Sequence, residues 1–231
     1  ITANSKSSIT AGGTITATAG GAITIGIASP TDDTDKAVVT GGGLVTLDSN
    51  LAGVTVNQYS EVTSAGSVTL EAQTSISVQA SSKVRSTGTG AVSLTATANN
   101  ITTGNLAQIT SAGGDVTLNA TGIITPNTAT FATTGAGDVL LQSGGTLNTS
   151  ATVFAASTES GTLTLKSTGS SVTTGASSIT TEGGNLELNA GTSATVSGNA
   201  VVKANGTGAV SIRAVSNITV GTLSQITSAG G

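Results

Sequence analysis

The chain has 231 residues, with 32 Gly, 2 Pro, 8% charged and 1% aromatic residues, and neither Cys nor His. Lack of Cys excludes a disulfide framework and thiolate chemistry, and lack of His removes the usual metal ligand and the commonest proton carrier near neutral pH. A formal net charge of −4, from 7 basic and 11 acidic residues, speaks against a nucleic-acid partner, which requires a basic stripe.

Globular domains carry about 25% charged residues, so hydroxyl groups rather than charges must solvate this surface. Disorder is rejected because Val, Ile and Leu return on a strict period. No apolar run reaches the roughly 18 residues of a transmembrane helix, and residues 1 to 20 lack the charged and apolar regions of a signal peptide. The chain opens in mid-pattern at Ile1-Thr2-Ala3 and closes at Ser228-Ala229-Gly230-Gly231, which reads as a segment of something longer.

Residues 1 to 28 form a first Gly-rich turn of the pattern, with Ile15, Ala17, Ile23 and Ile25 as its apolar positions. Residues 29 to 36, Ser-Pro-Thr-Asp-Asp-Thr-Asp-Lys, concentrate charge beside a Pro and read as a loop bulging from a corner. From there a motif of small residues followed by two apolar residues recurs, clearest at Ser111-Ala112-Gly113-Gly114-Asp115-Val116-Thr117-Leu118. Its last apolar residue falls at Ala17, Leu47, Leu70, Leu94, Leu118, Leu141, Leu165, Leu188 and Ile212, with steps of 23 or 24 residues from Leu47 onward. Such a period marks a repeat architecture in which each unit buries its apolar face on its neighbours.

Within each period the apolar residues form three groups. The first is the marker strand, as in Val68 and Leu70 or Val92 and Leu94. The second contains Ile76 and Val78, Ile101, Leu147, Val172, Ala194 and Val196, and Ile218 and Val220. The third contains Val62, Val84, Ile109, Val153, Ile179, Val202 and Ile226. Alternation by two turns these side chains inward and the intervening Thr and Ser outward. A helix is excluded by that spacing and by the abundance of β-branched residues and Gly. Tyr59 and Phe154 stand 11 residues before a marker and Phe131 stands 10 before one. The reading gives these aromatics one angular position, with Phe131 and Phe154 stacked on adjacent coils.

The fold expected is all-β: a parallel β-helix, or β-solenoid, three-sided, with nine to ten coils of 23–24 residues, taken as right-handed. Coils about 4.8 Å apart make a rod of roughly 45 Å. The stretch from Thr87 to Leu94 returns 118 residues later as Asn205 to Ile212, an interval of five coils. The chain is therefore read as one continuous solenoid over 1–231, built from two homologous blocks, about 1–114 and 115–231, with the corner insertion at 29–36. No polar cap is recognisable at either end, so the expected partners are further coils of the same protein or end-to-end copies forming a fibre.

The pattern Gly-Gly-x-Val-Thr-Leu-x-Ala at 113 to 120, with Ser64 to Ala72 and Glu182 to Ala190, resembles the β-solenoid shafts of filamentous haemagglutinin-like adhesins and giant β-strand-repeat surface proteins of bacteria. The resemblance covers nearly the whole chain. It implies export to the bacterial cell surface, an extracellular, protease-resistant rod and a scaffolding or adhesive role, with surface glycans as a further partner. It supplies no functional residues.

Parallel β-helices also host enzymes that act on polysaccharides, and such an enzyme needs paired carboxylates. Stacking places Asp48 beside Glu71 and Asp115 beside Asp138, and close carboxylates can divide acid and base roles. Their columns lack the positioning groups and cleft that a site requires; the expectation is no enzyme, with no catalytic, cofactor or metal residues. Asp32, Asp33 and Asp35 offer oxygens to Ca²⁺ without the spacing of a calcium loop. Lys83, Arg85 and Lys203 read as surface charge too dispersed for one patch. Asn-x-Ser/Thr triplets at Asn100, Asn119, Asn148, Asn205 and Asn217 are expected by chance in so Thr-rich a chain. Ice binding through Thr-x-Thr ranks is disfavoured on the marker face, where Asp115, Asn185 and Glu187 interrupt them.

Overall fold

The computed structural model describes residues 1–30, 32–149, 155–157 and 159–230. Among these residues the strands form three parallel sheets of ten, ten and nine strands, each strand paired with its counterparts one coil before and after. The result is a β-solenoid of about nine turns, in which helical structure is confined to one 3₁₀ turn at Asp33–Asp35. A typical coil contributes a five-residue strand to the first face (such as Val68–Ala72), a three-residue strand to the second (Ile76–Val78) and a four-residue strand to the third (Lys83–Ser86), while Thr2–Ala3, Leu147–Asn148 and Ala155–Ser157 are each one residue shorter than their counterparts.

The marker residues stack in one column from Ala17 through Leu47, Leu70, Leu94, Leu118, Leu141, Leu165 and Leu188 to Ile212. Alternation is the cause: Val68, Leu70 and Ala72 are buried while Thr69 is half-buried and Glu71 exposed. The second face behaves alike, with Val54, Ile76, Ile101, Ile124, Leu147, Val172 and Ala194 stacked inside. Its single outward position carries Thr2, Thr24, Thr55, Ser77, Thr102 and Thr125, and further along Asn148, Thr173, Thr195 and Thr219. This hydroxyl rank is longer than any on the marker face.

The corners explain the small-residue motif. Between the third and first faces, Gly43, Gly66, Gly90, Gly114, Gly137, Gly161, Gly184 and Gly208 lie over one another so closely that a Cβ on any from Gly66 onward would meet the backbone of the preceding coil. The inward Ser that opens the motif satisfies the carbonyls this packing buries. Ser86 Oγ donates to Gly66 O at 2.7 Å and Ser111 Oγ to Gly90 O at 2.8 Å. A second corner, ahead of the third face, holds a non-glycine residue in the left-handed region two positions before the strand. Lys6, Tyr59, Ser81, Leu106, Asn199 and Leu223 have φ of 57° to 61° there, a conformation that β-carbon sterics disfavour.

The third face departs from expectation at two places. Its inward column runs Val62, Val84, Ile109 and Phe131 and resumes at Ile179 and Val202, with Ala156 between Phe131 and Ile179 in the strand register. Ala156 thus stands beside Phe131, where the sequence reading places Val153 or Phe154; both of those lie outside the described residues. Nor do Tyr59 and Phe131 share an angular position. Phe131 is buried in the column, whereas Tyr59 sits on the left-handed corner three residues before Val62, the residue of its own coil that is in register with Phe131's column. The corner after the third face varies in length, from eight residues between Val62 and Leu70 to ten between Phe131 and Leu141. Counting back from the marker strand therefore loses register there.

Candidate functional site

Along most of its length the solenoid presents hydroxyl and amide side chains, and the departure from that monotony lies at the corner between the second and third faces in the first coils. Here the segment between strands Ile23–Ile25 and Val38–Gly41 is extended into a loop. The loop carries the 3₁₀ turn Asp33–Asp35, whose N-cap Asp32 accepts from Thr34 N at 2.8 Å and from Thr34 Oγ1 at 2.6 Å. Those two bonds hold the Asp32 carboxyl below the usual carboxylate range. Asp35 faces Lys6 Nζ at 3.4 Å.

Beneath the loop, strand pairing sets Glu61 next to Lys83, with Thr63 next to Arg85. Glu61 is nearly enclosed, its side chain 14% exposed, and three cations converge on it. Lys83 Nζ lies 3.2 Å and Lys36 Nζ 3.4 Å from Oε1, and Arg85 NH2 lies 3.9 Å from Oε2. Burial pushes the Glu61 carboxyl up, but the hydrogen bond and charge of Lys83 and the charge of Lys36 outweigh it and hold the group below its ordinary value. Around this ion cluster opens a cleft of about 420 Å³ lined by Asp32, Asp33, Lys36, Tyr59, Glu61, Ser81 and Lys83.

Sequence reasoning passed over this cluster. The sequence reading keeps Lys83 and Arg85 apart from Lys203, as the structure does, but does not anticipate that both join Glu61. Lys203 pairs with Thr180 several coils away and takes no part. The signal was available: Glu61 precedes Lys83 by nearly one period, and Lys36 precedes Glu61 by slightly more than one.

The paired carboxylates are brought together as the stacking requires. Asp48 stands in register with Glu71 on the outside of the first face, over a shallow cleft of about 180 Å³ lined also by Asn50, Gln73 and Thr97. Asp115 and Asp138 occupy the corner before the marker strand and serve the backbone. Asp115 Oδ1 accepts the Asp138 N–H at 2.9 Å, and Asp138 Oδ1 accepts the Thr162 N–H at 2.6 Å. Asn185 does the same for Ala209 N at 2.9 Å. These side chains form a ladder that ties each coil to the next. Among the described residues no group of three or more acidic side chains is gathered as a metal would need; in the corner loop Asp32 turns to Thr34 and Asp35 to Lys6.

Repeat number, parallel pairing and buried aliphatic columns define a β-solenoid repeat protein. Comparison of the chain with protein-family models, with curated proteins and with solved structures returns no match.

Proposed function

We propose that the chain is a length of shaft, a rigid extended scaffold within an extracellular bacterial fibre or adhesin, elongated by further coils or further copies stacked on its ends. The observation that carries this reading is the uninterrupted register of the three sheets through every coil. Each coil contacts only its neighbours, so length grows without a change of design. The sparse Lys and Arg, 7 in 231 residues, suit a surface that offers few sites to trypsin-like proteases. Negative-stain or cryo-electron imaging of the protein tests the proposal: rods or filaments of one-solenoid width are expected, and compact globules refute it.

A second reading, a carbohydrate-binding or polysaccharide-cleaving β-helix, is favoured by the adjacency of Asp48 and Glu71 over their cleft. Polysaccharide turnover and glycan-array binding by the wild type, Asp48→Asn and Glu71→Gln decide it. Turnover or binding lost in either variant supports the reading; no signal from the wild type ends it.

A further inference from the structure

The fourth residue of each first-face strand points outward, and strand register stacks these residues into one rank along the rod. Its charges are sorted by position. Asp48 and Glu71 stand on adjacent coils, the neutral Thr95, Asn119 and Gln142 follow, and Lys166, Asn189 and Arg213 come after them. The five-coil repeat makes the reversal position-specific: 118 residues separate Asp48 from Lys166 and Thr95 from Arg213. Among the described residues the ion pairs go to Asp35 and Glu61, and none involves Asp48, Glu71, Lys166 or Arg213. Glu187, on the neighbouring outward rank, accepts from Asn189 Nδ2 at 3.1 Å. The corner after the fourth-position rank is hollowed at both stations: a cleft of about 180 Å³ holds Asp48 and Glu71 and no cation, and one of about 380 Å³ holds Lys166 and Arg213 and no carboxylate. Midway between them Leu140, in the strand of Gln142, is the one apolar residue on the neighbouring outward rank.

We propose that this rank and its corner form a docking surface for a second copy of the chain, the two rods lying side by side and antiparallel. Turning a copy end for end about an axis between Asn119 and Gln142 places Asp48 opposite Arg213 of the partner subunit and Glu71 opposite Asn189 of the partner subunit. Lys166 of the partner subunit is then one coil, about 4.8 Å, further along from Glu71, so Glu71 lies between two cations. The rotation is a two-fold, so every contact is made twice and the assembly closes as a dimer. It also faces Asn119 with Gln142 of the partner subunit and brings both copies of Leu140 to the centre. A parallel pair in register sets Asp48 against Asp48 and Arg213 against Arg213, which like-charge repulsion opposes. The Asp115 and Asp138 ladder stays outside the contact, since it lies at the other edge of the face and its carboxylates are spent on backbone N–H groups. The pairing rests on the solenoid alone and adds lateral association to a shaft otherwise extended along its axis.

Sedimentation of the 231-residue chain tests it, at salt raised from about 0.01 M to about 1 M. A dimer is expected at low salt and a monomer at high salt. Asp48→Lys with Glu71→Lys makes the rank wholly basic, and Lys166→Glu with Arg213→Glu makes it wholly acidic; circular dichroism checks that each keeps its β content. Each double variant alone is expected to self-associate roughly tenfold or more weakly than wild type, and an equimolar mixture of the two to restore the dimer. For orientation, the chain contains no Cys, so Thr46→Cys and Ser211→Cys, which the rotation sets opposite one another, are expected to join through a short bismaleimide when mixed. A monomer at every salt, association indifferent to both double variants, no restoration on mixing, or Thr46→Cys joining to itself overturns the proposal. Single rods at low salt refute the pairing and leave the shaft reading standing, and charge-dependent dimers of globular particles refute the shaft alone.

Discussion

Replacing Gly114 by Ala tests the stacking at its tightest point. An alanine Cβ built there lies 2.6 Å from the carbonyl carbon of Gly90 and 2.7 Å from Ala91 N. Both atoms are backbone, so no side chain can swing away. Restoring a normal carbon contact of about 3.5 Å requires the coils to part by roughly 1 Å at this corner. That movement takes the Ser111 Oγ bond to Gly90 O, now 2.8 Å, and the Val92 N bond to Asp115 O, now 2.8 Å, beyond hydrogen-bond reach. Two lost bonds at about 1 kcal/mol each, with the steric strain of overpacking, come to a loss of about 3 kcal/mol. The adjacent Gly113→Ala is the control. Its Cβ meets nothing nearer than Thr89 Cα at 3.4 Å, and with fewer unfolded conformations the variant is expected to gain about 0.5 kcal/mol. Denaturant midpoints measure the difference, and hydrogen exchange on strands Val92–Ala96 and Val116–Ala120 localises it. Equal effects of the two alanines, or Gly114→Ala within about 0.5 kcal/mol of wild type, would mean that the glycines do not lie over one another.

Leu106 holds φ 60° and is 68% exposed, so Leu106→Asn relieves backbone strain while removing little from the core; a gain of about 0.5–1 kcal/mol in denaturant stability is expected, and a loss contradicts the strained corner. Thr103 and Thr174 bury Oγ1 without a partner, and Thr103→Val or Thr174→Val should each stabilise by about 1 kcal/mol; destabilisation in thermal melts would reveal an unseen partner. Asp138→Ala deprives Thr162 N–H of its acceptor, with an expected cost of about 1 kcal/mol by the same assay and faster exchange of that amide. Glu61 has a depressed folded pKa, so its contribution is fully present above the unfolded carboxylate value of about 4.3 and is lost as pH falls through the folded value. The gap in midpoint between wild type and Glu61→Gln, open at pH 6, should close on acidification below that range; a gap that does not change with pH refutes the ion cluster.

How much of this was legible in the sequence follows from where the physics is local. Inside a strand, alternation by two is set by the backbone itself, and the column from Leu47 to Ile212 is found residue for residue where the period puts it. Corners obey no such rule. The left-handed positions at Tyr59, Ser81 and Leu106 carry no Gly to announce them, because tertiary pairing imposes the conformation: Ser81 N is bound to Asn105 O at 2.8 Å and Leu106 N to Thr128 O at 2.6 Å. Corner length also drifts by one or two residues, which is enough to exchange an inward Phe131 for an outward Tyr59 when distance is counted from the marker.

The same drift hid the charged cleft. Glu61, Lys83 and Arg85 come together through strand register and Lys36 stands about one period before Glu61, but Asp33 reaches them only because an insertion at a corner folds back over the next coil, which no periodicity encodes. In a solenoid an irregular corner disturbs only its neighbours, so the stack tolerates an insertion with nearest-neighbour consequences at most. A site that must break the repeat is therefore cheapest at a corner, next to a face whose outward side chains can be changed without touching the core. The concentration of charge on Glu61, Lys83 and Arg85, all outward-facing positions in a strand pair whose inward Val62 and Val84 keep the common column, has that form: the scaffold's rule is kept inside while the surface departs from it.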